Sequence, residues 1–322
     1  MVTSYLRRAC VFALLLISLT AFQMASLSCG HKPSHGSKIS AQKSVSGFIH
    51  VAEISGRLGS KVMSRPGSLA LDALGNLVIC DTGNNRLVKV KPDGTFLTEV
   101  GGFGFSREEF NYPAALATSD GINFYLLDSD NDRIVTLDYD LNWIADENLG
   151  LIQIDPPTGR GSGIAVSSFG DLFYADPDNN RVVKFDTRFE VVSELTEPGG
   201  FLDPGALTID YNDNLYVIDR RQHNVVLFDS YDNYLGKIGE GSLEDPAGIC
   251  TDGAGLLYVI DRKVNTISLF TPDGREAFSF GSTGIGQYQF RQAHSICVSR
   301  EGWLFVSDYA GDRVIVYRPS RS

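Results

Sequence analysis

The sequence predicts an all-β fold: a single six-bladed β-propeller of four-stranded blades, with the last blade closed by the N-terminal strand. Three observations carry this. A decamer recurs six times, the same order of short apolar runs surrounds each copy, and the series has one strand too few at its end and one too many at its start. The decamers are DTGNNRLVKV from Asp81, DSDNDRIVTL from Asp128, DPDNNRVVKF from Asp176, DRRQHNVVLF from Asp219, DRKVNTISLF from Asp261 and DYAGDRVIVY from Asp308. Their leading aspartates are 47, 48, 43, 42 and 47 residues apart.

Each unit begins with a short run such as SLALD, GIAVS or ALTID, followed by a turn rich in Gly, Asn and Asp. A second run (LVICD, LFYAD, LYVID) ends on the aspartate, and the decamer's second half (RLVKV, RVVKF) is a third. After KPDG or TPDG comes a fourth, as in TFLTEV and REAFSF. Runs of about five β-branched and aromatic residues between turn residues are strands, and no stretch of helical period intervenes. Four strands per unit of this length make a propeller blade. The sixth unit has only SICVS, LFVSD and RVIVY, whereas GFIHVAEIS (47–55) stands unmatched before the first unit. Pairing that strand with the last blade removes an open sheet edge and ties the ring shut.

Within the decamer, Asp and Arg five residues apart end one strand and begin the next, so they face each other across a hairpin. Asp81–Arg86, Asp128–Arg133, Asp176–Arg181 and Asp308–Arg313 are therefore expected as buried or half-buried pairs that fix the turn. The intervening Asn residues suit a left-handed backbone. Six copies of one residue have no catalytic use, so the decamer reads as architecture.

The strand starts PGSLALD and DPAGICTD, the D-x-x-N-x-R-V/I decamers and the glycine-rich FGSTGIGQYQFRQAHSI resemble those of the NHL-repeat β-propellers, over residues 47–322. Unit 4 departs by lacking the arginine, and unit 5 by lacking both Asn and Arg. The resemblance implies the fold; that fold serves scaffolds, receptors and enzymes alike.

The chain's 322 residues carry a net charge of −11, and the N-terminal segment with Arg7 and Arg8 makes the remainder more acidic still. Long-range repulsion then opposes nucleic acid and anionic lipid, so no nucleic-acid partner is expected. Residues 1–28 read as a signal peptide: Arg7 and Arg8 precede the apolar ACVFALLLISLTAF. SLSCG resembles the lipobox of bacterial lipoproteins, which implies acylation at Cys29, although Ser26 stands where an aliphatic residue is usual. Ordinary cleavage near Ser28 and an uncleaved anchor are the alternatives. Residues 29–46 are then a polar tether to the propeller at 47–322, and the expected location is exported and membrane-anchored, periplasmic or at the outer surface. Membrane contact is expected through the lipid alone. Cys10, Cys29, Cys80, Cys250 and Cys297 form no disulfide framework.

No catalytic constellation is found. There is no G-x-S-x-G, H-E-x-x-H or P-loop lysine pattern, and the G-x-G in GFGFS precedes no helix. DSDND opens like a calcium loop, but Arg133 and Tyr139 occupy the positions where an EF-hand needs Gly and Glu, so at most an incidental surface calcium is compatible with it. The peptidyl-α-hydroxyglycine α-amidating lyases share the propeller, and resemblance to them implies a zinc held by histidines at inner-strand starts. His294 is at such a start, but Gly67, Ala114, Ser162, Gly205 and Ala247 fill the equivalent positions, while His50, His223, His31 and His35 lie elsewhere. A zinc needs three or four ligands, so no metal or other cofactor is expected. Cys250 and Cys297 share a repeat slot with Ala70, Ala117, Ala165 and Thr208, a packing position that makes them structural thiols.

One feature breaks the repeat. Arg220, Arg221, His223, Arg262 and Lys263 fall on adjacent units of the face that carries the inter-blade linkers, with Arg291 and His294 arriving from the next linker. On an acidic chain this sector is a candidate binding face for a protein, an anionic glycan or an anionic small molecule. In the plainer reading, Arg220 and Arg262 replace the lost decamer arginines as partners of Asp219 and Asp261. The expected function is a non-catalytic binding or scaffold module at the bacterial cell envelope. The alternative, from fold analogy, is a metal-assisted hydrolase, lactonase or lyase with its site at the central channel.

Overall fold

The computed structural model describes residues 45–321. They form six four-stranded antiparallel sheets whose first strands stand side by side around a central channel. Blade 1 is Pro66–Leu71, Leu77–Asp81, Arg86–Val90 and Phe96–Gly101. Blades 2 to 5 repeat this order, their inner strands being Pro113–Ala117, Gly163–Val166, Pro204–Ile209 and Pro246–Thr251. Blade 6 has Ala293–Val298, Leu304–Asp308 and Arg313–Arg321, and its outermost strand is Val45–Ser55. The closing strand is thus the N-terminal one, two residues longer than GFIHVAEIS. Its register sets Phe48 against Pro319 and Ile54 against Val314.

The core lies between blades rather than at one centre, because each sheet buries one face against each neighbour. Second strands such as Leu77–Asp81, Leu172–Asp176 and Leu257–Asp261 are buried along their whole length, and alternate side chains go to opposite interfaces. Outer strands such as Phe96–Gly101 and Glu276–Phe280 are largely exposed. Small hydroxyls stitch the inner strands together: Ser68 Oγ accepts from Leu116 N at 3.0 Å, and Ser295 Oγ accepts from Leu69 N at 3.3 Å.

The decamer is the turn between the second and third strands. Its four Asp–Arg pairs form as expected, with Nε–Oδ2 distances of 2.7 Å (Asp81–Arg86), 2.9 Å (Asp128–Arg133), 3.0 Å (Asp176–Arg181) and 3.1 Å (Asp308–Arg313). The aspartate also does something the sequence reading did not anticipate. In every blade it accepts a backbone N–H from the residue 17 positions earlier, in the incoming linker: Ser64, Asn111, Gly159, Leu202, Glu244 and Arg291. The arginine holds that linker's carbonyls, as Arg181 does at Pro156 O (2.5 Å) and Arg313 at Gln289 O (2.9 Å). A buried ion pair would be costly to desolvate unless its remaining donors and acceptors were satisfied. Here the linker satisfies them, so one pair fixes both the hairpin and the passage between blades.

The left-handed residue of each turn is Asn85, Asp132, Asn180, His223, Asn265 or Asp312, with φ between 49° and 55°. His223 is therefore a turn residue. Blade 4, lacking the arginine, uses a relay instead. Gln222 Nε2 donates to Asp219 at 3.0 Å, while Lys237 reaches Gln222 Oε1 at 2.6 Å and the buried Glu197 at 3.0 Å.

Candidate functional site

The channel is lined by the six inner strands and holds a cavity of about 350 Å³. Ala70, Ala117, Ala165, Thr208, Cys250 and Cys297 occupy one repeat slot along its wall, so small side chains keep it open. Both cysteines are free, and burial raises each thiol well above its ordinary value, which keeps the reactive thiolate form scarce. Where the linkers enter, five of six strand starts are small, and His294 stands alone among Gly67, Ala114, Ser162, Gly205 and Ala247. Arg220 and Arg262 reach the same lining.

The residue after the decamer aspartate points to the channel mouth in blades 4 and 5, and this is how Arg220 and Arg262 arrive there. Their partners correct the plainer sequence reading. Neither replaces a lost decamer arginine; each pairs with an aspartate of the incoming linker. Arg220 binds Asp203 through Nη2 (2.6 Å) and Nε (3.1 Å), and Arg262 binds Asp245 through Nε (2.9 Å) and Nη2 (3.1 Å). These are two-pronged pairs, each about a third exposed, so they fix guanidinium orientation more than they add stability. Asp219 and Asp261 are satisfied otherwise: Asp261 accepts the backbone N–H groups of Glu244, Asp245 and Lys263.

The His294 ring stacks on Tyr309 at 5.2 Å between centroids, and its Nδ1 is buried without a hydrogen-bond partner. Burial, with Arg262 and then Arg220 nearby, pushes the imidazole down to about 4, so it is neutral at pH 7.

The remaining sector residues spread out over the linker face. Lys263 is exposed and pairs with Glu244 at 2.6 Å, its ammonium held protonated above the ordinary range by that carboxylate. Arg221 is exposed and has no ion pair among the described residues; Arg291 is exposed and uses its backbone N–H on Asp308. The structure therefore brings three of the seven together at the channel: Arg220, Arg262 and His294. The sequence reading missed Arg160, which lies over the Tyr112 ring at 4.9 Å and pairs with Asp130 at 2.6 Å. Arg160 and Tyr112 stand 16 residues before a decamer aspartate, the register that Asp203 and Asp245 hold in blades 4 and 5. With Asp128 bound to Arg133 and Asp130 to Arg160, two of the three carboxylates in DSDND already have cationic partners.

Among the described residues no group of three or more His, Cys, Asp or Glu side chains is placed to hold a metal ion. His50 is on the closing strand, edge-on to Tyr317. Cys29, His31 and His35, with the whole leader and tether before residue 45, lie outside the described residues.

A ring of six four-stranded blades, closed by pairing of the first and last strands, defines a six-bladed β-propeller. Residues 63–90, within the first blade, match the NHL repeat, and the six-bladed ring agrees with the fold that resemblance implies. No curated protein sequence matches it. Among solved structures it is similar to a streptogramin B lyase, at 12% identity over 85% of this chain and 98% of that one, with a TM-score of 0.60. Virginiamycin B lyase from Staphylococcus aureus is similar at 14% identity over 86% and 90% of the two chains, TM-score 0.60. A Bacteroides thetaiotaomicron protein of unknown function gives 17% identity over 86% and 73%, TM-score 0.63. At such identities the likeness is one of fold.

Proposed function

We propose that this propeller is a non-catalytic binding module at the cell envelope, anchored through a lipid on Cys29, and that it takes its partner on the linker face around the channel mouth. The observation that supports this most is the break in repeat symmetry. Five blades present small residues at the strand start, while Arg220, Arg262 and His294 converge on one side of the channel. Such a cluster of oriented donors on a rigid scaffold is what recognition uses. The lyases of similar fold keep a catalytic reading open. A metal-assisted form of that reading needs three or four ligands, and among the described residues no group of three or more His, Cys, Asp or Glu side chains is placed to hold a metal ion.

Two experiments test the proposal. Capture from envelope extract with residues 40–322 should recover a partner, and Arg221→Glu with Lys263→Glu should weaken its binding, more so at low salt. Thermal stability should hold, because both side chains are exposed and the Lys263–Glu244 pair contributes little. Equal capture by the double variant at low salt refutes the docking face. Cys29→Ala should abolish fatty-acid labelling and membrane fractionation; unchanged labelling and fractionation refute the anchor.

A further inference from the structure

We propose that the channel mouth is a binding site for a small organic carboxylate, held by the Nη1 groups of Arg220 and Arg262 together with His294 Nδ1. The inference rests on the linker face being the binding face and adds the ligand's chemistry. A guanidinium offers five N–H donors. Asp203 engages Nε and Nη2 of Arg220, and Asp245 engages the same two nitrogens of Arg262. Nη1 of each has no partner among the described residues, and both arginines line the cavity. The two-pronged pairs hold these donors in place before any ligand arrives, so little side-chain entropy is lost on binding.

His294 supplies the third point. Its Nδ1 is buried and unpartnered, a state that costs free energy until something hydrogen-bonds to it. Stacking on Tyr309 fixes the ring plane. The charged and titratable groups facing it are Tyr309 on its own blade, Arg262 from the adjoining blade 5 and Arg220 from blade 4 beyond it, with Asp245 and Asp203 bound to those arginines. The cavity volume falls within the range of small-molecule sites.

The charge balance selects the head group. Asp203 and Asp245 cancel the two guanidinium charges, and the chain as a whole is at −11. A carboxylate brings one negative charge and two acceptor oxygens to directional donors. A phosphate dianion would bring twice the charge to a mouth already neutralised.

The test uses the full chain with propionate and lactate as probes, and inorganic phosphate and propionamide as controls. Propionate or lactate should shift the His294 ring resonances in a nuclear magnetic resonance titration, with a Kd below about 1 mM. Phosphate and propionamide should bind at least about tenfold more weakly, and His294→Ala and Arg262→Gln should each weaken the carboxylate at least about tenfold. The wild-type shift needs no variant, so the proposal stays testable even if Arg262→Gln unfolds. No His294 shift with either acid up to about 10 mM overturns it, as does phosphate binding as tightly as propionate. A chain that captures a partner through Arg221 and Lys263 but ignores both acids fails this inference and leaves the docking face standing. Propionate binding without capture supports the inference and removes the docking face.

Discussion

Replacing Phe48 or Ile54 with alanine tests whether the N-terminal strand closes the ring, because these two side chains lock different neighbours. Phe48 is buried, stacked on Phe280 at 5.2 Å and edge-on to Tyr258 at 6.3 Å, both in blade 5. Ile54 is buried with Leu69, Val88 and Val90 of blade 1. Truncating such side chains costs about 3–5 kcal/mol for Phe and about 2–5 kcal/mol for Ile, transfer and cavity together. At about 2–4 °C per kcal/mol for a domain of this order of size, each variant should lower the thermal midpoint by roughly 4–20 °C. Phe48 and Ile54 stand far apart on the strand and share no partner, so their costs should add. The double variant would then lose about 5–10 kcal/mol, most of a typical domain's stability. Val51→Ala is the control: its side chain is 42% exposed and should cost no more than about 0.5 kcal/mol. Circular dichroism melts of the three variants decide the matter. If Phe48→Ala and Ile54→Ala melt with Val51→Ala, the strand does not hold the ring. The same logic makes deletion of residues 1–56 severe and deletion of 1–40 neutral.

Two further outcomes follow from the ion pairs and from His294. Asp176→Ala should destabilise by about 3–5 kcal/mol, because Arg181 is left buried without its counter-charge and the linker amide of Gly159 without its acceptor. Asp203→Ala should cost under about 1 kcal/mol, since Arg220 stays a third exposed; denaturant melts that rank the two equally would refute this hierarchy. The folded His294 imidazole lies near 4, below its ordinary 6.5, so the folded state binds fewer protons than the unfolded one between those values. Its contribution to stability is complete above about pH 6.5 and is lost as pH falls towards 4. Against His294→Gln, the wild type should therefore lose more stability over that interval, and parallel profiles would show that His294 titrates normally.

The fold was legible because a propeller repeats its chemistry. The Asp–Arg spacing of five within a hairpin marks four ion pairs in the sequence itself, and the surplus strand at the start matches the missing one in blade 6. The linker contacts were less visible. The bond from each decamer aspartate to a backbone amide involves no side chain on the linker, so residue type carries no trace of it; only the constant distance of 17 residues does. Arg220 and Arg262 were open to misassignment for a related reason. Asp219 and Asp261 are adjacent in sequence and acidic, but they point into the hairpin, whereas the next residue's side chain turns to the mouth and meets the linker. The matched spacing of Asp203–Arg220 and Asp245–Arg262, again 17 in both, was the available signal. His294 was found as an outlier among small residues; its unpartnered Nδ1 depends on packing that no spacing encodes.

Pairing Val45–Ser55 with Arg313–Arg321 also sets the order in which the chain can mature. Blades 1 to 5 are local meanders, each complete once its own residues have been made, and local contacts form early. Blade 6 joins strands separated by nearly the whole propeller, so its first strand must wait with bare N–H and C=O groups while five blades assemble. During synthesis that waiting edge is the chain's exposure to mispairing, as unpaired edges are in any slow-closing sheet. Arg313–Arg321 must be made before the ring can shut, so until then the risk is confined to a single strand.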